Sequence, residues 1–363
     1  MISANCALNF IINRNEDIMK IAIISGSDIS EDNGISIRAK RIYKVLKEEH
    51  DVIILYSNQK NFKNIFSIFM ENLFWNLRLL YLIPKNKLDA VYVSSDFLGF
   101  FSIYFLSKLL GFNIIFEAHG TLSEENINKN RNKIIIKTTQ FIEKFAISKS
   151  DYVIALSKNI YEFYSRYNKN IALVPVFIDE SIKYRIGDNK EKGYKSIGLI
   201  GPFEMPANRY YLDFVYKNID KFNEDIIFHV IGSCDYRINS SKIRYTGYIE
   251  SYSEYLSKIN SMDLVLIPSK ISTSGPLNKI LEAMMCSTPV LTTPEGTYGI
   301  DGVKHLDNIL IVKEEEIIKE INGNIFDGNL LAKISANARN FIEYYYSKEV
   351  NEEKILKTIK NFN

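Results

Sequence analysis

Cysteine is scarce in this chain and irregularly placed: Cys6, Cys234 and Cys286 are three in number, far apart, in no C-x-x-C pair and with no histidine at metal-ligand spacing. An odd, scattered set excludes a disulfide framework and fits a reducing compartment, so a cytoplasmic location is expected. An excess of one charge is lacking too. The 45 Lys and Arg against 43 Asp and Glu leave a net of +2. That gives no global field able to hold nucleic acid, so no nucleic-acid partner is expected and any cationic site must be local. Long apolar runs are missing as well. The stretches 65–83 and 97–112 are interrupted by polar residues and fall short of a bilayer span, so no transmembrane helix is expected. The apolar run at 7–12 has no basic residues leading it and no small-residue cleavage site after it, which argues against a signal peptide. Residues 1–18 are read as an N-terminal extension.

What is present has the balance of a globular protein, 46% hydrophobic and 24% charged, and 363 residues are more than one ordinary core serves. Two domains are expected. From Lys20 onward short β-branched runs alternate with longer helical ones: KIAIIS, DVIILY, LDAVYVSS, FNIIFEA and SDYVIALS, with helices between. Short apolar strands separated by helices signal a parallel sheet covered on both faces. A charged, weakly patterned stretch at 177–195 interrupts the series. A second series follows in KSIGLIG, DIIFHVIG, KIRYTGY, MDLVLIPS, TPVLTTP and NILIVK. The expected fold is therefore α/β, with Rossmann-like domains at 19–178 and 179–345 facing across a cleft, and a C-terminal helix at 346–363 crossing back to the first domain.

In such a pair, ligands bind at the carboxyl ends of the strands, so the residues that follow strands are the informative ones. After the first strand comes SDISEDNGISIRAKR, in which Gly34 permits close backbone approach and opens a helix, with Arg38 one turn on. A simple turn and a solvated arginine fit those residues equally well. His119, followed by Gly120, ends the FNIIFEA strand. Its position suits catalysis in the cleft as much as a structural role.

The segment DLVLIPSKISTSGPLNKILEAMMCSTPVLTTPEGTYG carries the strongest signal. A strand is followed by a Ser/Thr/Gly loop, and Pro276 falls where the first helical position is expected, with Ser274 or Gly275 as cap. Unpaired amides and the helix dipole make such a start an anion site. Lys279 and Glu282, three apart, share a helix face. They suit a diphosphate and the hydroxyls of a ribose, or else a surface ion pair.

These blocks in their order resemble glycosyltransferase family 4, the group 1 glycosyltransferases of GT-B fold. GYIESYSEYLSKINSMDLVLIPS resembles the family's run from nucleobase loop to donor loop, with Tyr248 on the donor side. KILEAMMCSTPVLTTPEGTYGI resembles its helix, following strand and final glycine turn. IGPFEMPANRYYLDF resembles the Pro-Asn variant of its diphosphate loop, and DNGISIRAKR and FEAHG match the acceptor domain. The resemblance implies an acceptor domain followed by a donor domain. It also implies a hexosyltransferase-type, retaining transfer from a UDP- or GDP-linked sugar to a glycan, lipid-linked or other acceptor, with no metal and no cofactor. The absence of a D-x-D pair agrees with that.

Carried over by residue, Glu282 matches the second Glu of the family's Glu-x7-Glu motif and is expected to hold the ribose, whereas the first Glu falls on Ser274, near the transferred sugar. His119 matches the cleft histidine near sugar and acceptor. The family's usual Arg and Lys of the diphosphate loop are replaced around Pro202 and Ala207–Asn208, leaving Arg209 and Lys279 to supply positive charge. Gly34, Asn208, Arg209, Tyr248, Ser274, Gly275, Lys279 and Glu282 form the expected donor site, with His119 and Ser274 at the chemistry. Two other readings remain: a degenerate nucleotide-binding scaffold subunit, and a nucleotide-sugar epimerase on the same scaffold, for which no motif is seen.

The segment NFKNIFSIFMENLFWNLRLLYLIPKNK is crowded with apolar side chains and flanked by Lys63, Lys85 and Lys87. Phe66, Phe69, Leu73 and Leu77 recur at helical spacing and are expected to face the core. Phe62, Trp75 and Tyr81 are left over. Exposed beside the lysines, they would rest peripherally on anionic lipid and meet a lipid-linked acceptor there.

Overall fold

The computed structural model describes residues 18–26, 28–29, 34–56, 65–128, 130–178, 193–270, 272 and 275–360. Among them two six-stranded parallel sheets carry the fold. The first holds β1 (Lys20–Ser25), β2 (Asp51–Tyr56), β3 (Ala90–Ser94), β4 (Asn113–Ala118), β5 (Tyr152–Ala155) and β6 (Ile171–Leu173) in the order β2-β1-β3-β4-β5-β6. The second holds β7 (Lys195–Ile200), β8 (Ile226–Ile231), β9 (Ile243–Gly247), β10 (Leu264–Ile267), β11 (Val290–Thr292) and β12 (Leu310–Ile311) in the order β12-β11-β10-β7-β8-β9. Strands such as β3 and β8 are buried along their whole length. That is why they read as unbroken apolar runs rather than as alternating ones. The expected pair of Rossmann-like domains is the architecture found. Most of the stretch 177–195 lies outside the described residues.

Strand order decides where the helices lie. The step from β1 to β2 runs one way across the sheet, and the steps from β2 to β3, β4 and β5 run the other way. Right-handed crossovers then put the helix Gly34–Lys47 on one face and the helices Ile65–Asn86, Phe100–Leu110 and Lys133–Lys149 on the opposite one. The last three sit side by side. Ser102 Oγ donates to Asn76 Oδ1 at 2.6 Å, and the Phe101 and Phe145 rings stack with centroids 4.9 Å apart. The helix Phe100–Leu110 stops at Gly111, whose φ of 81° is left-handed and suits a residue without a Cβ.

The chain returns to the first domain as expected. The Ile178 amide donates to the Tyr346 carbonyl at 2.8 Å. The helix Lys348–Lys360 then buries Ile355 and Ile359 in the core that holds the first sheet, and Lys360 Nζ lies 3.1 Å from a Glu49 carboxylate oxygen.

The helix Ile65–Asn86 corrects one expectation. Leu73 and Leu77 are exposed, and the buried stripe is Trp75, Leu79 and Ile83. Tyr81 is exposed, as the interfacial reading required, but Trp75 is not. Phe62 and Lys63 lie outside the described residues, as do the side chains of Phe66 and Phe69. The helix is apolar on nearly every side, so spacing alone leaves its rotation open. A polar contact fixes it. Trp75 Nε1 donates to Asp96 Oδ2 at 2.7 Å, while Asp96 Oδ1 accepts the Gly99 amide at 2.8 Å. Burial raises the Asp96 carboxyl above its ordinary range, partly offset by the Trp75 and Gly99 donors. A side chain at 99 would overlap the Asp96 carboxylate, so glycine is required there. Trp75→Phe keeps the ring and removes the donor. It is expected to lower stability by about 1–3 kcal/mol, the usual loss when a buried polar partner is left unpaired, as measured by urea unfolding. An unchanged midpoint would mean that packing alone sets the helix rotation.

Candidate active site

Each sheet reverses its strand order once, at β1/β3 in the first domain and at β7/β10 in the second. Crevices for ligands form at the carboxyl ends of such neighbours. In the first domain this region is organised by Glu117, a carboxylate in β4 with no solvent exposure. Arg38, also buried, brings Nε and a terminal nitrogen each to 2.8 Å from Glu117 Oε1, and the Tyr92 hydroxyl donates to the same oxygen at 2.6 Å. The arginine also lies over the Phe177 ring, 4.9 Å from its centroid. Burial by itself pushes the Glu117 carboxyl up, but Arg38, His119 and the Tyr92 hydroxyl outweigh it and hold the group down at about 2.

His119 completes the network. Its Nε2 lies 2.7 Å from Glu117 Oε2 and 3.2 Å from Ser94 Oγ. Because Glu117 is ionised, the ring is oriented to donate from Nε2, and Nδ1 is the ring nitrogen that this network does not use. Arg38 is therefore neither a solvated charge nor free for a ligand. It is the counter-ion of the carboxylate that aims His119.

The two domains meet at the same place. A Cβ on Gly275 would overlap the His119 carbonyl oxygen, and a Cβ on Gly299 would overlap the backbone of Gly275. The loop after β10 thus touches the end of β4 backbone to backbone, an approach only glycine permits. Beside this contact, Thr121, Glu124, Ile127 and Asn128 of the first domain and Ser272 and Tyr298 of the second line a cavity of about 370 Å³. Ser274 lies outside the described residues. Gly34 is the first residue of the helix that follows β1. The second-domain helix starts later than expected, at Asn278 and not Pro276, with Leu277 extended as its cap and no side-chain capping bond. The backbone at Gly275 is held between His119 and Gly299, so the chain must clear that contact before it coils.

Lys279 and Glu282 leave the same helix toward different partners. Lys279 Nζ donates to the Ile200 carbonyl at 3.2 Å, Asn208 Oδ1 at 2.5 Å and the Tyr211 hydroxyl at 3.0 Å. Burial lowers this ammonium to about 7. All three of its N–H bonds are engaged within the protein. Asn208 in turn donates to the Pro202 carbonyl at 2.6 Å, so the two residues tie the helix to the loop after β7. Glu282 accepts the hydroxyls of Tyr252 at 3.0 Å and Tyr255 at 2.9 Å. Burial raises its carboxyl, and Arg41 of the first domain opposes the rise. Arg209 is paired elsewhere, 3.1 Å from Asp235 and over the Tyr236 ring. Tyr248 is exposed just past β9. Among the described residues, no group of three or more His, Cys, Asp or Glu is gathered where a metal ion could bind.

Glu117, Tyr92, Ser94, Arg41, Tyr252 and Tyr255 were not singled out in the sequence. A signal existed for Glu117: one carboxylate inside an apolar strand must find a charged partner or stay neutral. Arg38→Met leaves that carboxylate buried and unpaired. It is expected to lower stability by about 3–5 kcal/mol near neutral pH, as measured by urea unfolding. In the wild type the folded carboxyl lies below its unfolded value of 4.5. Its contribution is therefore complete above that pH and is lost as pH falls toward about 2. The cost of Arg38→Met should accordingly shrink in acid, and a loss below about 1 kcal/mol at neutral pH would show that solvent screens the pair.

Residues 194–325 match the family model described as glycosyl transferases group 1. The chain is 24% identical to an uncharacterized glycosyltransferase of Methanocaldococcus jannaschii, over 93% of this chain and 97% of that protein. Among solved structures, Anabaena HepE in complex with UDP is 13% identical with a TM-score of 0.73, covering 94% of this chain and 100% of that one. Sucrose-phosphate synthase of Thermosynechococcus elongatus is 15% identical with a TM-score of 0.78, covering 95% and 99%. HepE has also been solved with UDP-glucose, at a TM-score of 0.67 to this chain, 13% identity and the same coverage. The chain has the GT-B fold, and these similarities support a glycosyltransferase of group 1.

Proposed function

We propose that this protein transfers a hexose from a UDP- or GDP-linked sugar to a glycan or lipid-linked acceptor, with retention, without a metal, and in the cytoplasm. The observation that carries the reading is the seat of Gly275 on the His119 carbonyl beside an open cavity. It joins the nucleotide side of one domain to the polar strand end of the other. The UDP and UDP-glucose bound by HepE favour a uridine donor.

In this reading Glu282 holds the ribose. Each of its oxygens accepts one tyrosine hydroxyl and keeps a lone pair for a ribose hydroxyl. Tyr248 borders the base. The diphosphate lies against the amides from Gly275 to the start of the helix Asn278–Met285, where the dipole is positive. Lys279 acts through its charge and not through a hydrogen bond, since its donors are taken; Asn208 fixes that ammonium in place. Arg209 is a second cation within the same domain, and it must leave Asp235 to act. His119 meets the acceptor next to the transferred sugar. Ser274 stands where the resemblance places a carboxylate, so no nucleophilic side chain is assigned. Positioning and stabilisation of the departing diphosphate supply the rate.

Titration calorimetry tests the assignments. Glu282→Ala should weaken UDP binding by about 1–3 kcal/mol, and wild-type affinity in that variant would remove the ribose role. Lys279→Gln should weaken UDP more than uridine. Since the unliganded ammonium titrates at about 7, wild-type affinity for UDP should fall as pH rises through that value, and Lys279→Gln should abolish the dependence. Equal losses for UDP and uridine would make Lys279 purely structural. For the chemistry, transfer rates measured with excess EDTA should match those without it; activity recovered only on adding manganese or magnesium would overturn the metal-free reaction.

A further inference from the structure

Three neighbouring helices on the outer face of the first sheet, Ile65–Asn86, Phe100–Leu110 and Lys133–Lys149, share two features. The first is apolar exposure. Phe74, Phe105 and Phe141, one from each helix, are 62%, 59% and 64% exposed, and Leu77, Leu109 and Ile134 accompany them. The helices are joined side by side by the Asn76–Ser102 hydrogen bond and the Phe101–Phe145 stack, so these side chains belong to one surface and not to three. Large apolar side chains grouped in this way mark an interaction surface more often than scattered single ones do.

The second feature is charge. Among the described side chains of these helices, Arg78, Lys85, Lys108, Lys133, Lys137, Lys144 and Lys149 face a single carboxylate, Glu143, and that one is buried. Just beyond the helix ends Lys87 and Arg131 add cations, and Asp89 and Asp151 add carboxylates that accept the Lys20 and Ile114 amides. These three helices are thus locally cationic within a chain whose net charge is only +2.

We propose that this face docks on an anionic lipid bilayer. Exposed phenylalanines and leucines enter the acyl boundary while the surrounding lysines meet lipid phosphate and carboxylate, the two contributions an interfacial helix combines. No helix among the described residues is long and apolar enough to cross a membrane, so the contact is peripheral. The face also borders the interdomain cavity. Exposed Ile127 lines that cavity, and its helix, Leu122–Asn128, packs on Lys133–Lys149. Docking is independent of the reaction proposed above, and its test needs no turnover.

Co-sedimentation with phosphatidylserine-rich and with pure phosphatidylcholine vesicles decides it. The full chain should bind the anionic vesicles at low salt and be released at high salt, where surface charges are screened. Lys85→Gln, Lys133→Gln and Lys137→Gln combined should weaken binding roughly a hundredfold. Phe105→Ser with Phe141→Ser should weaken it as well, with an unchanged melting temperature because both side chains are exposed. No binding to anionic vesicles at low salt would overturn the proposal, as would equal binding to both vesicle types. A concentration-dependent dimer that disappears in the phenylalanine variant would overturn it too, because a second copy of the chain would then own the surface.

Discussion

Glu117 is a full negative charge in the middle of a buried sheet, a placement that costs several kcal/mol unless every oxygen is matched. The matching draws in much of the first domain. Arg38 comes from the helix after β1, Tyr92 and Ser94 from β3, and His119 from the end of β4, the strand that holds Glu117 itself. Arg38 is itself held by the Phe177 ring and the Pro175 carbonyl, just after β6. One carboxylate thus registers a helix, two strands and the exit of the first domain against each other. It also leaves a histidine aimed at the cleft in a defined ring orientation.

The second domain solves a related problem in another way. Its cation, Lys279, is lowered by burial and has no carboxylate at hydrogen-bond distance among the described residues; three neutral oxygens accept its hydrogen bonds. Its anion, Glu282, is held by two tyrosines. The two charges sit within one turn of each other and interact through space, yet the hydrogen bonds of each go to uncharged groups. Arg41, reaching from the first domain toward Glu282, adds an electrostatic link across the cleft.

The near-neutral total charge conceals how unevenly that charge is arranged. The helices Ile65–Asn86, Phe100–Leu110 and Lys133–Lys149 carry cations outside and bury their only described carboxylate, while the helix on the other face of the sheet is covered by the returning C-terminal helix and its Lys360–Glu49 pair. The two faces of one sheet therefore meet different surroundings. Right-handed crossovers fix that division before any side chain is considered.

The alternation of β-branched runs with helical segments was enough, in sequence, to determine two doubly wound sheets, because strands buried on both faces must be apolar throughout. It was also enough to place His119 and the loop before Lys279 at strand ends. Local signals of that kind survive in one dimension. Three things were decided only in three dimensions. The rotation of Ile65–Asn86 depends on Asp96, since a helix that is apolar all round carries no phase of its own. The start of the helix at Asn278 depends on Gly275 being caught between His119 and Gly299. The partners of Lys279 and Glu282 come from residues 27 to 79 positions away. Three-residue spacing puts two side chains on one helix face, but it cannot say which distant groups that face will meet.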